Sequence, residues 1–284
     1  AEGPLFHLPL CEMLGFVGSV GRLGLAGAQV NGSASASPKS KAAARRSQLA
    51  RVVVMHGGPA AATDSERRPG SHKGFVEEMR FVAMRLHTKD QAPSEGKQEE
   101  SALPIQEWRP AQRDYLQFLV DSKHIYDYME KKVAASDDTM LNKFANSGLE
   151  RSGALADDIQ WFEAQGIKAE EPTSKARKYV EYLEDLVDER PKAFLCHWYN
   201  YYFAHTAGGR MIGRMMSNLL FNGKTFRFYE WEKDVKEILG EVRVKIDEVA
   251  GEWTREEKDD CLNETSLAFA YSGTVLSNLA VAEE

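Results

Sequence analysis

The chain has 284 residues, 28% of them charged, and a formal net charge of −7, enough length for one sizeable hydrophobic core. Residues 1–70 carry eight basic and four acidic side chains, which leaves −11 on the remainder; so acidic a body argues against nucleic acid as the main partner. The three cysteines, Cys11, Cys196 and Cys261, form neither a CxxC pair nor a metal-finger spacing, and the most apolar stretch, 13–30, is broken by Arg22 and a run of glycines, so reduced thiols and no membrane span are expected.

Residues 1–70 are rich in Ala, Ser, Gly and Arg and poor in acid before Asp64. Their centre, NGSASASPKSKAAARRSQLARVVVM, has the composition of an organelle transit segment. A boundary is therefore expected near residue 70, with 71–284 as the folded domain. Gly74–Thr88 predicts a helix, because Phe75, Met79, Val82 and Leu86 step by 4, 3 and 4. His87 lies beside that stripe, on a face that reads Val76, Arg80, Ala83, His87; the small Ala83 one turn back leaves a hollow beside the imidazole. Residues 89–107 are polar, contain two prolines and read as a loop. Ala111–Val133 predicts a helix with Tyr115, Phe118, Leu119, Ser122, Ile125, Tyr126 and Met129 inward. Shorter helices are expected at 137–144 and 149–165, broken at Gly148 and Gly166, and a longer one at 175–188. Pro191 suits the first turn of the next helix, where a missing N–H is harmless.

The stretch AFLCHWYNYYFAHTAGGRMIGRMMSNLL, residues 193–220, reads as one long helix with Gly208 and Gly209 at its middle and Gly213 four residues on. Each interior glycine costs roughly 0.8–1 kcal/mol relative to alanine. Two explanations compete. Another element packs closely over bare backbone, or a flat ligand lies where no Cβ intrudes. A kink is expected at the pair. Beyond Asn222-Gly223, residues 226–251 predict a helix carrying Phe228, Trp231, Val235, Ile238, Leu239, Val242 and Ile246. Thr254 followed by Glu257 has capping-box spacing and opens a last helix from Arg255 to about Leu279. No period-two run stands out, so the fold class is all-α, a single domain of seven or eight helices.

His197 and His205 are eight residues apart, roughly 12 Å of helical rise, too far to share one metal ion; each by default is a satisfied core histidine. Taken together, the parts suit a planar iron macrocycle held between two helices: one imidazole with a hollow beside it, one thin glycine wall, and aromatics at Trp198, Tyr199, Tyr201, Tyr202 and Phe203.

The runs GFVEEMRFVAMRLHTKDQA, FLVDSKHIYD, GLER, CHWYNYYFAHTAGGRMIGR and GEWTREEKDDCLNET carry a resemblance that covers essentially all of 74–279. The sequence resembles haem oxygenase of the plant chloroplast type. The resemblance implies a helical bundle with haem b, both substrate and cofactor, between the first ordered helix and the kinked glycine-containing distal helix. It implies His87 as proximal iron ligand, Gly208 and Gly209 as the distal wall, Tyr126 in the distal pocket, Tyr199 near the haem propionates, Arg80 and Lys245 as their basic partners, and Phe269 beside the haem. Animal and bacterial members carry Asp where this chain has His205, so distal water must be organised here by an imidazole. The implied reaction converts haem to biliverdin IXα, CO and Fe2+ with O2 and electrons from reduced ferredoxin, in the plastid stroma, feeding bilin synthesis for phytochrome. Candidates for a basic ferredoxin-docking patch are Arg80, Arg85, Lys89, Lys233, Lys236, Arg243 and Lys245. A monomer is expected. The rival is a non-catalytic tetrapyrrole-binding relative; such relatives lack the proximal histidine, and His87 is present.

Overall fold

Every regular element among the described residues is helical. The computed structural model describes residues 74–87, 104–135 and 139–281, all within one of the two units into which the chain divides. The transit-like stretch at 1–70, Cys11 and Lys89 lie outside the described residues. The helices are α1 (Phe75–Leu86), α2 (Gln112–Ala134), α3 (Thr139–Asn142), α4 (Ser152–Ala164), α5 (Ser174–Glu189), α6 (Pro191–Ala204), α7 (Arg210–Leu220), α8 (Val235–Gly251), α9 (Arg255–Asn263) and α10 (Thr265–Leu276).

α6 is the centre of the bundle. Pro191 sits in its first turn, and Ala193 to Tyr202 are buried without a break. A helix apolar all round must be packed on all sides, and α5, α9 and α10 all lie against it. His197 is there wholly buried, between the Tyr179 hydroxyl (3.0 Å from Nδ1) and the Glu264 carboxylate (3.3 Å from Nε2). Burial holds its imidazole below the ordinary value despite that carboxylate, so Nε2–H donates to Glu264 from a neutral ring. It is the satisfied core histidine the sequence suggests.

α1 is pinned from two sides. The Val76 N–H donates to Asp247 of α8 at 2.9 Å, and buried Glu78 pairs with Arg255 of α9 at 2.9 Å. Gly74, at φ 112°, is required just before α1, because a Cβ there would strike the Asp247 carboxylate at 2.3 Å. The buried face of α1 joins Phe75 and Met79 to Val76, Ala83 and His87, while Val82 and Leu86 are only half-buried.

Four expectations are corrected. Of the helix expected at 137–144, residues 137 and 138 lie outside the described residues, and the rest holds only the four residues of α3, followed by turns. The helix expected at 226–251 begins only at Val235. Before it, Arg227–Tyr229 form a single 3-10 turn, and Phe226, Glu230 and the residues up to Asp234 are non-helical. Asp158 of α4 captures the N–H groups of Arg227 and Phe228 at 2.9 and 2.8 Å, which holds this segment in a turn. The last helix is two, α9 and α10, interrupted at Glu264, whose carboxylate is claimed by Arg190, Tyr182 and His197. The capping box of Thr254 and Glu257 is present. The long helix at 193–220 also changes register: His205–Gly209 form one π turn between α6 and α7.

Candidate active site

His87 ends α1. Its backbone turns extended there (ψ 155°), while its side chain folds back onto the last turn. Nδ1 lies 2.8 Å from the carbonyl oxygen of Ala83, the small residue one turn earlier. A carbonyl only accepts, so Nδ1 carries the hydrogen and Nε2 carries the lone pair. Nε2 is buried and has no hydrogen-bond partner. Burial lowers the pKa of this imidazole, against the backbone bonds to Ala83 and Met84, so the ring is neutral. A buried acceptor without a partner costs about 1–3 kcal/mol unless something fills it. The edge of Phe269, on α10, meets the ring at 5.1 Å between centroids and 90° between planes.

On α10, three residues beyond Phe269 and roughly 4.5 Å along the axis, Ser272 lines a hollow of about 470 Å3, open mouth included. Its walls come from α2 (Phe118, Ser122, Tyr126), from α6, the π turn and α7 (Tyr201, Ala204, His205, Gly209, Ile212), from Phe228 and Tyr229, and from α10. The structure thus brings Tyr126, His205 and Gly209 to one cavity. His87 and Phe269 are not on its wall; α10 joins them to it.

His205 is buried, and its ring stacks on Phe228 at 3.9 Å and 18°. Its Nε2 lies 2.8 Å from the Phe228 carbonyl oxygen. Burial, with smaller contributions from Arg151 and Arg210, outweighs that bond and pushes the imidazole down to about 3. Tyr126 is fully buried, its ring 6.1 Å from that of His205, and burial raises its hydroxyl well above the ordinary value, so it stays protonated. A Cβ on Gly209 would lie 2.9 Å from His205 Nδ1. Gly208 is buried in the same turn but does not line the hollow. Gly213 has a packing reason: a Cβ there would fall 2.4 Å from the Tyr229 ring.

The remaining expected positions lie elsewhere. Tyr199 is buried against Phe203, with ring centroids 4.3 Å apart. Burial raises its hydroxyl, while Arg243 and Arg80 act to lower it. Arg80 is exposed and bonded to Glu77. Lys245 is half-buried on α8, the helix that packs on α1. Sequence reasoning missed Phe228 and Tyr229 as wall residues, Asp158 as their anchor, and Arg151, whose guanidinium lies 4.6 Å from the Trp231 ring beside His205. A signal existed for the first. From Thr225 to Phe228, exposed polar residues alternate with buried aromatics, the period of extended chain, and the alternation ends at Tyr229.

Among the described residues, no three His, Cys, Asp or Glu converge to hold a bare metal ion. A lone neutral imidazole with a free Nε2 fits instead an iron that brings its own macrocycle nitrogens. The model of the "Heme oxygenase" family matches residues 84–278, and the chain belongs to that family. Within it, the likeness is to the chloroplastic enzymes of plants. Heme oxygenase 1, chloroplastic, of Arabidopsis thaliana is 48% identical over 228 residues, 79% of this chain and 80% of its own. Its namesake from Oryza sativa subsp. japonica is 50% identical over 207 residues, 73% and 71% of the two chains. A probable inactive heme oxygenase 2, chloroplastic, of the same rice is 34% identical over 73% of each chain. The fold is that of heme oxygenase-2 from Synechocystis sp. PCC 6803, solved with heme and NO, at a TM-score of 0.53 and 18% identity over 62% of this chain and 74% of that one. No helix among the described residues is long and apolar enough to cross a membrane.

Proposed function

We propose that this chain is a plant-type haem oxygenase whose haem b lies between α1 and the π turn, with His87 Nε2 as the protein's ligand to iron. The observation that carries this is the orphaned, buried Nε2 of a neutral His87 in a chain of this family. Bound haem would supply the redox chemistry: with O2 and electrons, its own ring is opened to biliverdin IXα, with release of CO and Fe2+. The protein's part is position, exclusion of water and proton supply. The Ala83 carbonyl fixes the tautomer of His87, and the Phe269 edge fixes its rotation. Gly208 and Gly209 keep side chains off the far face, and a π turn there supports a bend over the macrocycle. Tyr126 and His205 bracket water on that side, Tyr126 as a protonated hydroxyl. Arg80, Tyr199 and Lys245 are assigned to the propionate edge; the electrostatic reach of Arg80 and Arg243 to Tyr199 supports a basic rim there. Reduced ferredoxin is assigned as donor, docking on that rim, and the plastid stroma as location, in line with the chloroplastic relatives; the product would feed bilin synthesis for phytochrome. The monomeric state stays part of this proposal.

The test is His87→Ala. Biliverdin formation with ferredoxin and its reductase is expected to vanish. Part of the haem affinity should remain, because most of it comes from burying the macrocycle, and added imidazole should restore part of the activity. Unchanged turnover in the alanine variant would remove His87 from the ligand role.

A further inference from the structure

The contacts that hold His205 begin outside the hollow. Asp158, on α4, is 3% exposed. Its two oxygens accept separately: Oδ1 from the Arg227 N–H at 2.9 Å and Oδ2 from the Phe228 N–H at 2.8 Å. A carboxylate presents two acceptors and no donor, which matches two successive backbone N–H groups; an amide of the same shape offers one of each. These bonds fix the peptide units of the 227–229 turn. The next group along, the Phe228 carbonyl, accepts from His205 Nε2 at 2.8 Å, and the ring is clamped flat on the Phe228 side chain. Since a carbonyl cannot donate, Nε2 carries the hydrogen. The titratable and charged groups facing the ring are Tyr126, Tyr229, Arg151 and Arg210, and the two guanidiniums oppose a cation there. A neutral imidazole protonated on Nε2 keeps its lone pair on Nδ1. That atom lies 2.9 Å from where Gly209 lacks a Cβ, and both residues line the hollow.

We propose that Asp158 is a positioning residue for the haem-oxidising site: by ordering the 227–229 turn it locks His205 in the Nε2–H tautomer, leaving Nδ1 as a hydrogen-bond acceptor at the bare face of Gly209. The catalytic part of this rests on the function proposed above, since it takes the hollow as the oxygen side of the haem. Two consequences follow. His205 holds a distal water by accepting its hydrogen and does not hand that water a proton. The proton donor on this side is therefore another water or one of the wall hydroxyls, those of Ser122, Tyr126, Tyr201, Tyr229 and Ser272. Gly209 is also needed for the histidine's own sake, since a side chain there displaces Nδ1.

The test uses the haem-free full chain labelled with 15N-histidine. Long-range 1H–15N correlation spectra distinguish the two neutral tautomers and the cation. His205 is expected as Nε2–H and uncharged at pH 6. An Nδ1–H ring, or an ordinary titration near 6.5, overturns the proposal with no substitution made. In Asp158→Asn, a shift toward the other tautomer is expected, together with a loss of biliverdin turnover of about 10-fold, the scale set by removing orienting partners of site imidazoles. A folded Asn variant with an unchanged His205 spectrum would show that Asp158 merely braces the turn. If that variant does not fold, through-hydrogen-bond couplings in the wild type test the same chain, from His205 Nε2 to the Phe228 carbonyl carbon and from the Phe228 amide to the Asp158 carboxyl carbon; absence of either refutes it. A wild type with the expected tautomer that makes no biliverdin would sink the catalytic reading and leave the tautomer lock standing.

Discussion

Gly213 and Gly240 both sit inside helices, in α7 and α8, and the same substitution should move stability in opposite directions at the two. Alanine gains roughly 0.8–1 kcal/mol of helix propensity over glycine in either helix. At Gly240 a Cβ meets nothing within 4 Å, so the gain stands. At Gly213 the Cβ would lie 2.4–2.6 Å from three carbons of the Tyr229 ring, whereas contacting carbons sit about 3.5–4.0 Å apart. The ring would have to retreat by about 1 Å. It is hemmed in by His205 at 5.3 Å, by Phe228 at 5.0 Å, and by a 3.2 Å bond from the Tyr115 hydroxyl. Overpacking of this kind costs about 1–3 kcal/mol. Comparing the two variants cancels the propensity gain, so Gly213→Ala should be less stable than Gly240→Ala by roughly 1–3 kcal/mol. For a domain of this size that is about 2–4 °C in Tm for each kcal/mol. The assay is the urea midpoint at unchanged slope, read beside the thermal midpoint. If Gly213→Ala is stabilised as much as Gly240→Ala, Tyr229 yields freely, and the close-approach account of Gly213 is wrong.

Gly209→Leu should abolish biliverdin formation without raising Tm, because its Cβ already crowds His205 Nδ1 at 2.9 Å and so offsets leucine's better helix propensity; wild-type yield from that variant would end the thin-wall reading. Stability should fall on mild acidification. His87, His197 and His205 all have folded-state values held below 6.5, His205 at about 3. The unfolded chain takes up protons that the folded chain refuses, so stability is full above about pH 6.5 and falls as the pH drops below it, by up to roughly 1.4 kcal/mol per unit for each such ring. Asp158 and Glu130, raised by burial, act in the opposite sense nearer the carboxylate range, so calorimetry between pH 7.5 and 6 is the clean window; a flat Tm there contradicts the burial of these imidazoles. Glu264 is held down to about 2: hydrogen bonds from His197, Tyr182 and Arg190 outweigh the upward push of its burial. It adds a second loss as the pH falls from about 4.5 toward 2.

The helices with strong local signals are legible in the amino-acid sequence alone. α1, α2, α5, α6 and α9 begin within a residue or two of their expected places, because apolar spacing, the proline in the first turn of α6 and the Thr254–Glu257 box act on neighbours a turn away. The presence of His87, His205 and the glycine pair on two different helices is also a matter of sequence, and so is the family. What a local pattern cannot hold is a bond partner far along the chain. Residues 226–234 have the apolar content of a helix, yet they hold one 3-10 turn and otherwise irregular chain; Asp158, 70 residues earlier than Phe228, accepts from the Arg227 and Phe228 N–H groups of that turn. His197 and His205 look alike as core histidines on one apolar run. One is matched on both nitrogens by Tyr179 and Glu264, and the other faces a hollow with its tautomer set by a carbonyl 23 residues away. The free Nε2 of His87 is of the same kind. Spacing can place an imidazole beside an alanine, but only the packing of α10 over α1 makes that nitrogen both buried and unpartnered.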